Sequence, residues 1–277
     1  MIFSHFQTRQ LVKKNTPSVM PLSTDLGLTV VEVRKTQGGW QLPDGNILTY
    51  SQIDTINKDE NSCFHLVNGE LQKIEAFSAR TNRYYSLLPT SGAPSMLVSG
   101  IPMHRIKGTT PDQDTERKIQ ALGKPFGLIL DTAMGLGYTA IRAARTAAQV
   151  ITIELDPAVI LICKANPWSQ GLFTNPKIHK IIGNTADIAP LFQDGIFNAI
   201  IHDPPMFNLG GYLYSGEIYE TFYRILRPNG RMFHYIGNPE SRTGASVGKG
   251  VMNRLRQVGF TVTPKPNAFG VLAKKQG

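Results

Sequence analysis

Three acidic residues in the middle of the chain each stand at the end of an apolar run, where a side chain can reach a bound ligand. They are Asp131, Glu154 and Asp203. A carboxylate at a strand end can accept hydrogen bonds from the hydroxyls of a ribose or from an amine. The chemistry to expect is therefore binding of a nucleoside-containing ligand and orientation of an amino group.

Small residues follow Asp131 at regular spacing. Gly135, Gly137 and Ala140 form the pattern G-x-G-x-x-A before a helical run. Gly135 permits a tight turn, Gly137 lets a ligand approach bare backbone, and Ala140 lets the helix pack on the sheet. Residues 127–157 therefore predict a strand, a glycine turn, a helix and a second strand that ends at Glu154, which is half of a nucleotide-binding fold.

The acid before the glycines separates two kinds of nucleotide site. Dinucleotide fingerprints have no acid there, so an NAD dehydrogenase would leave both Asp131 and Asp203-Pro-Pro without a role. The pattern D-x-A-x-G-x-G resembles the first motif of class I S-adenosylmethionine-dependent methyltransferases, with Ala133 in place of the first glycine. The resemblance implies that Asp131 meets the amino-acid end of the ligand and that Glu154 binds the ribose.

Two later segments continue the resemblance, which covers about residues 111–277. Asn184 follows the predicted third strand, where the family often has an acid that binds the adenine amino group. Asp203-Pro204-Pro205 follows the fourth strand and resembles the (Asn/Asp)-Pro-Pro-aromatic motif of amino-group methyltransferases. The aromatic position holds Met206, and Phe207 comes one residue late.

The resemblance implies a fold and a set of site residues. We expect an α/β protein with a doubly wound, Rossmann-like methyltransferase sheet of seven strands, the last one antiparallel, after a small β-rich N-terminal domain. The implied ligand is S-adenosyl-L-methionine, without a metal. The implied catalytic residues are Asp203, Pro204, Pro205 and Phe207, and the implied cofactor-binding residues are Asp131, Ala133, Gly135, Gly137, Glu154 and Asn184.

The N-terminal part has a different pattern. Residues 1–100 contain short β-type runs separated by turn signals such as Asp44-Gly45 and Asn68-Gly69. We therefore predict a β-rich domain over residues 1–100 and the methyltransferase domain over residues 101–277. The whole pattern, with Met103-His104-Arg105-Ile106 and Asp203-Pro-Pro, is similar to a group of predicted methyltransferases of archaea and cyanobacteria.

Composition and charge bear on location and partners. The chain has 277 residues, a formal net charge of +9 and two cysteines without metal-ligand spacing. Residues 221–277 contain 10 Lys and Arg and one acid. We expect a cytoplasmic protein without a membrane segment, which contacts RNA through this basic C-terminal region. The sequence indicates no oligomeric state.

The main prediction is methylation of an amino nitrogen in RNA or protein, with Asp203 and the Pro204 carbonyl orienting the amine. Two alternatives remain open. One is transfer of an aminopropyl or aminocarboxypropyl group from the same cofactor family, as in polyamine synthesis, for which an acidic pocket is favourable. The other is an RNA-binding protein that keeps the methyltransferase fold without catalysis.

Overall fold

A computed structural model describes residues 1–206 and 210–277. The chain divides into two compact units. The first contains Met1–Asp112 and Ala158–Gln170, and the second contains Gln113–Pro157 and Gly171–Gly277. The domain boundary at residue 100 stays a prediction.

The first unit contains eleven short strands. Their bounds are β1 Ile2–Phe3, β2 Val19–Leu22, β3 Val31–Lys35, β4 Gly39–Gln41, β5 Ile47–Thr49, β6 Phe64–Val67, β7 Glu70–Lys73, β8 Glu75–Ser78, β9 Arg83–Leu88, β10 Ser95–Val98 and β11 Ile101–Pro102. They form antiparallel sheets with the orders β1-β6-β7, β2-β3-β4-β5 and β11-β10-β9-β8. Helices α1 (His5–Thr8) and α2 (Tyr50–Lys58) also belong to it. The N-terminal part is therefore β-rich, as predicted.

The second unit is built on one sheet. Its strands are β12 Leu128–Asp131, β13 Gln149–Glu154, β14 Ile178–Ile182, β15 Phe197–His202, β16 Leu226–Tyr235, β17 Thr261–Lys265 and β18 Gly270–Lys274. Their order is β14-β13-β12-β15-β16-β18-β17. The first five are parallel, whereas β18 pairs antiparallel with both β16 and β17. This confirms the predicted doubly wound, Rossmann-like sheet of seven strands, in which the last strand of the chain is antiparallel.

Helices connect these strands. Their bounds are α3 Pro111–Leu122, α4 Tyr138–Ala143, α5 Pro157–Ala165, α6 Gly171–Thr174, α7 Thr185–Ile188, α8 Gly216–Ile225 and α9 Arg242–Val258. Each residue of β15 is buried, as expected for a central parallel strand covered on both faces. Helix α8 packs Ile218, Phe222 and Ile225 into the same core as β15. No helix among the described residues is both long and apolar enough to cross a membrane.

Two elements differ from the sequence prediction. Strand β16 begins at Leu226, although Arg227-Pro-Asn-Gly230 predicts a turn that delays the strand to Met232. Phe197 pairs with Leu226 and Ala199 pairs with Arg231, so the intervening residues bulge out of the ladder. Asn229 adopts a left-handed backbone (φ 61°), which lets the strand resume in the same direction. The run Ala140–Ala148 predicts a helix that continues to Ala148, but helix α4 ends at Ala143.

Candidate active site

The predicted carboxylates stand at one edge of the seven-stranded sheet. Strand β12 lies between β13 and β15 and is parallel to both. Asp131, the last residue of β12, is in register with Thr152 of β13 and Ile201 of β15. Glu154 and Asp203 each follow two residues after these partners. The carboxyl ends of the three strands therefore bring the three acids to the same edge, where ligands bind in open α/β sheets.

Asp131 lies wholly inside the fold. Its Oδ2 accepts a hydrogen bond from the Thr152 hydroxyl at 2.8 Å, and its Oδ1 accepts one from the Thr139 hydroxyl at 3.3 Å. Burial raises the pKa of Asp131 to about 7, and the negative charges of Asp203 and Glu154 act in the same direction. The predicted contact with the amino-acid end of a ligand stays a prediction.

Glu154 closes the glycine turn. Its Oε2 accepts a hydrogen bond from the Gly135 N–H at 2.9 Å, and its Oε1 accepts one from the Asp156 N–H at 3.0 Å. Burial raises the pKa of Glu154 to about 7, although these two hydrogen bonds favour the charged form. Each oxygen keeps a lone pair, so the carboxylate is oriented by the backbone and can still accept a hydrogen bond from a ribose hydroxyl.

The small residues of the turn serve packing in a way that the pattern did not show. Gly137 has φ 77°, and a Cβ there would lie 2.3 Å from Cδ1 of Leu172. The left-handed backbone favours glycine, and a Cβ would also force the Leu172 side chain to move, whether or not a ligand approaches this backbone. Ala133 is partly exposed between β12 and the glycines. Asn184 uses its Oδ1 to accept a hydrogen bond from the Ala186 N–H at 3.1 Å, and its contact with adenine stays a prediction.

Asp203 forms an ion pair that sequence reasoning missed. Nζ of Lys118, on helix α3, donates to Oδ2 of Asp203 at 2.6 Å and also lies 2.9 Å from Oδ2 of Asp114. Burial raises the pKa of Asp203, and the Lys118 ammonium partly offsets that rise. Lys118 and Asp114 are one helical turn apart, a spacing typical of a solvent-exposed pair. Here both are buried.

The residue before Asp203 holds the end of the strand in place. His202 is fully buried, with Nε2 2.8 Å from the Leu213 carbonyl oxygen and Nδ1 2.6 Å from the Thr132 hydroxyl. A carbonyl only accepts, so Nε2 carries the proton and Nδ1 accepts the hydrogen bond from Thr132. Burial lowers the pKa of His202 to about 4. A neutral imidazole therefore ties β15 to the end of β12 and to residue 213.

The rest of the Asp-Pro-Pro segment lies beside this imidazole. Pro204 is buried, and the Pro205 carbonyl accepts a hydrogen bond from the Tyr214 hydroxyl at 3.1 Å. The side chain of Met206, in the position of the motif aromatic residue, is 50% exposed. Phe207, a predicted catalytic residue, lies outside the described residues. The segment is thus anchored on both sides of Asp203.

The edge as a whole is strongly acidic. Four carboxylates of this cluster are buried, and the fifth, Asp203, has a side chain that is 19% exposed. The buried ones are Asp114, Asp131, Glu154 and Asp156. Besides burial, Asp114 raises the pKa of Asp203, Asp203 and Glu154 raise the pKa of Asp131, and Asp156 raises the pKa of Glu154. Lys118, the cation of this cluster, is already shared by two carboxylates. An arrangement of this kind favours a positively charged ligand.

Comparison with solved structures agrees with the fold. A crystal structure of spermidine synthase in complex with the transition state analogue AdoDATO has a TM-score of 0.60 at 19% identity, over 73% of this chain and 72% of that chain. Spermidine synthase from Thermotoga maritima has a TM-score of 0.56 at 18% identity, over 73% and 71%. At these identities the likeness shows the fold alone.

Sequence comparison adds two kinds of relative. No protein-family model matches the chain. A polyamine aminopropyltransferase of Mycobacterium tuberculosis is 30% identical over 145 residues, which are 50% of this chain and 27% of that protein. A protein of Methanocaldococcus jannaschii, "Uncharacterized protein MJ1233", is 44% identical over 238 residues, which are 85% of this chain and 81% of the relative. The chain therefore belongs to the same protein family as MJ1233 of Methanocaldococcus jannaschii.

Proposed function

We propose that the protein transfers an alkyl group from an S-adenosyl sulfonium donor to an amine, and that the group is aminopropyl. The observation that carries this proposal is the continuous row of buried carboxylates at the carboxyl edge of the sheet, from Asp114 to Asp156. Both reactants of such a transfer are cations before they react. A site with this charge attracts both of them.

The residues at the edge fit an S-adenosyl sulfonium donor. Glu154 is oriented by two backbone N–H groups and offers acceptors for a ribose. Burial raises the pKa values of Asp131 and Glu154, and neighbouring carboxylates add to the rise. A bound sulfonium would supply the missing positive charge.

The same charges distinguish between two donors. S-adenosylmethionine carries a carboxylate beside its amino group, whereas the decarboxylated form carries only the amino group. A donor carboxylate placed near Asp131 would need a cation, and Lys118 is already paired with Asp114 and Asp203. The acidic edge therefore favours the decarboxylated donor, and the similarity to a polyamine aminopropyltransferase supports the same choice.

When bound, the donor supplies an electrophilic carbon whose bond to sulfur breaks as the bond to nitrogen forms, which leaves a neutral thioether and a substituted ammonium. An acceptor that binds as an ammonium must lose one proton before its nitrogen can attack. Asp203 can accept a hydrogen bond from that nitrogen and so direct its lone pair. The raised pKa of Asp203 also makes this carboxylate a better proton acceptor than an exposed aspartate. The His202 and Tyr214 contacts hold the segment while this happens.

Methyl transfer to an amino nitrogen of RNA or protein is the second candidate. Asp203-Pro204-Pro205 directly follows β15, which is where amino-group methyltransferases have the motif that it resembles. The motif orients an amine and does not specify which carbon of the donor is attacked. The two candidates therefore share Asp203 and differ in the donor.

Calorimetric titration with the two donors tests the proposal. The decarboxylated donor should bind at least about tenfold more tightly than S-adenosylmethionine, because it avoids placing an anion beside Asp131. The thioether S-adenosylhomocysteine is a useful third ligand, since it keeps the carboxylate without the sulfonium charge. Tighter binding of S-adenosylmethionine than of the decarboxylated donor would instead favour methyl transfer.

A further inference from the structure

Lys118 occupies an enclosed position in the second unit. Its side chain is 4% exposed, and its Nζ lies 2.6 Å from Oδ2 of Asp203, 2.9 Å from Oδ2 of Asp114 and 4.7 Å from the centre of the Tyr235 ring. Burial alone would lower the pKa of Lys118, but the Asp203 and Asp114 carboxylates outweigh it and raise the pKa, so the ammonium is charged at neutral pH.

The two oxygens of Asp203 have different surroundings. Oδ2 accepts the hydrogen bond from Lys118, whereas Oδ1 has no hydrogen-bond partner among the described residues. The carboxylate plane is thus fixed through one oxygen while the other keeps its acceptor capacity. A carboxylate held in this way can present Oδ1 to an incoming N–H in a single orientation.

The charge of Asp203 depends on its neighbours. Burial and the Asp114 carboxylate raise the pKa of Asp203, and the Lys118 ammonium opposes both. The other titratable groups that face this cluster are Asp131 at the end of β12, Tyr214 after β15 and Tyr235 in β16. His202, adjacent in sequence, is neutral. Lys118 is therefore the group that favours the ionised form of Asp203.

We propose that Lys118 is a positioning residue for Asp203: it holds Oδ2 and leaves Oδ1 to accept a hydrogen bond from the amine that is alkylated. Asp114 in turn anchors Lys118 from the preceding turn of helix α3. This role rests on the proposed transfer to an amine, but it does not depend on which alkyl group is transferred. A purely structural ion pair would also shift the titration of Asp203, but it would leave the pH dependence of turnover unchanged.

The test measures the titration of Asp203 directly. Carbon-13 NMR of the aspartate carboxyls, with Asp203→Asn to assign the signal, follows Asp203 in the full chain without any donor. In Lys118→Met the Asp203 signal should titrate at a proton concentration about tenfold lower than in the wild type. Lys124→Met, the same change at an exposed position just beyond the helix, should leave the signal unchanged. An unchanged Asp203 titration in Lys118→Met would overturn the proposal.

Two further variants cover the case in which Lys118→Met does not fold. Asp114→Asn removes the opposing carboxylate, so Asp203 should titrate at lower pH than in the wild type. Lys118→Arg keeps the charge and should leave Asp203 ionised at neutral pH. A shift of the Asp203 titration to higher pH in Asp114→Asn would contradict the assigned roles. It would mean that the Asp114 carboxylate favours the ionised form of Asp203, which it should oppose.

The pH dependence of turnover links Lys118 to the reaction. The acid limb of the rate profile should move to higher pH in Lys118→Met, in parallel with the NMR titration, while donor affinity stays within about twofold of the wild type. A limb that stays fixed while the NMR signal moves would rule out a role for the pair in the reaction. Lack of turnover with either donor in the wild type would count against the proposed function, and the NMR titration would still decide whether Lys118 controls Asp203.

Discussion

The acidic edge and the basic C-terminal segment are both in the second unit, and they use their charges differently. At the edge, the carboxylates of Asp131, Glu154 and Asp203 are buried side by side. In residues 221–277, several cations hold the backbone in place. Lys275 donates to the Tyr223 and Leu226 carbonyls, and Arg231 donates to the Lys124 carbonyl.

Other cations of the basic segment are used in the same way. Arg224 pairs with Asp194 and donates to the Phe192 and Pro190 carbonyls. Arg227 lies 3.5 Å from the Ile196 carbonyl oxygen. A count of charges along the chain therefore overestimates the basic surface that is available to RNA. The RNA contact stays a prediction, whereas the acids, less conspicuous in the composition, converge on one site.

The largest expected effect comes from Asp203. Asp203→Ala removes the acceptor that orients the amine, so turnover should fall about 10²-fold or more while donor affinity changes little. Asp203→Asn keeps an amide oxygen and should retain more activity than alanine. Steady-state rates and calorimetry of the two variants make this measurement.

Asp203→Ala also leaves Lys118 with Asp114 as its remaining carboxylate partner, so a lower melting temperature should accompany the loss of turnover. Full activity in a less stable Asp203→Ala protein would show that the residue has a structural role only. Equal loss of activity in the alanine and asparagine variants would indicate that the carboxylate moves a proton.

A second effect concerns stability and pH. The pKa of Asp131 is raised by burial from 3.8 to about 7, so between these values the folded chain binds more protons than the unfolded chain. The contribution of Asp131 to stability therefore falls as pH rises through this window. Asp131→Asn should thus gain stability relative to the wild type between pH 4 and pH 8, by about 2–4 kcal/mol.

Thermal unfolding of the ligand-free proteins at several pH values measures this difference. A constant offset between Asp131→Asn and the wild type across the range would mean that Asp131 is not desolvated as the fold indicates. The contrast between the buried acids and the cations of the basic segment would then not hold for Asp131.

Glu154 should control donor binding. Glu154→Ala should weaken binding of the donor by about 1–3 kcal/mol, because charge-assisted hydrogen bonds to the ribose are lost. Glu220→Ala, an exposed acid of helix α8, is the matched control and should not change affinity. Calorimetry in which both variants bind the donor as the wild type does would remove Glu154 from the site.

The smallest effects should come from the basic segment, where two arginines of helix α9 differ. The positive charge of Arg254 acts on the Tyr219 hydroxyl, which lies 2.9 Å from Nε2 of His234. Arg254→Glu should therefore lower stability by about 1–3 kcal/mol. Arg256 is exposed, and Arg256→Glu should change stability by less than about 0.5 kcal/mol.

RNA-binding measurements on Arg256→Glu at two salt concentrations then test the basic surface without a folding defect. If the segment binds RNA, affinity should fall with salt and with this substitution. Salt-independent binding of RNA would exclude an electrostatic contact there.

Local patterns were sufficient to predict the sheet and the position of three acids at its edge. Asp131, Glu154 and Asp203 stand at strand ends, and parallel strands place such ends at one edge. The pairing of Asp203 with Lys118 was not predictable, because it joins positions 85 residues apart through the packing of a helix. The spacing of Asp114 and Lys118 gave a signal, but an exposed salt bridge has the same spacing.

The packing role of Gly137 was not part of the sequence prediction, and the approach of a ligand to its backbone stays a prediction. The G-x-G spacing indicates that side chains are excluded, and it does not show which neighbour excludes them. In the structure that neighbour is Leu172, on helix α6. The bulge in β16 was missed because Arg227-Pro-Asn-Gly230 has the composition of a turn, and only pairing on both sides shows that the strand continues.

The most direct test of the account is to identify the thioether and the amine formed in one reaction. The wild-type chain is incubated with a mixture of both donors and an amine acceptor pool of diamines, RNA and protein, and the products are identified by mass spectrometry, with Asp203→Ala as the control. The account predicts 5′-methylthioadenosine and an amine extended by an aminopropyl group, both absent with Asp203→Ala. Formation of S-adenosylhomocysteine and a methylated acceptor, without methylthioadenosine, would contradict aminopropyl transfer.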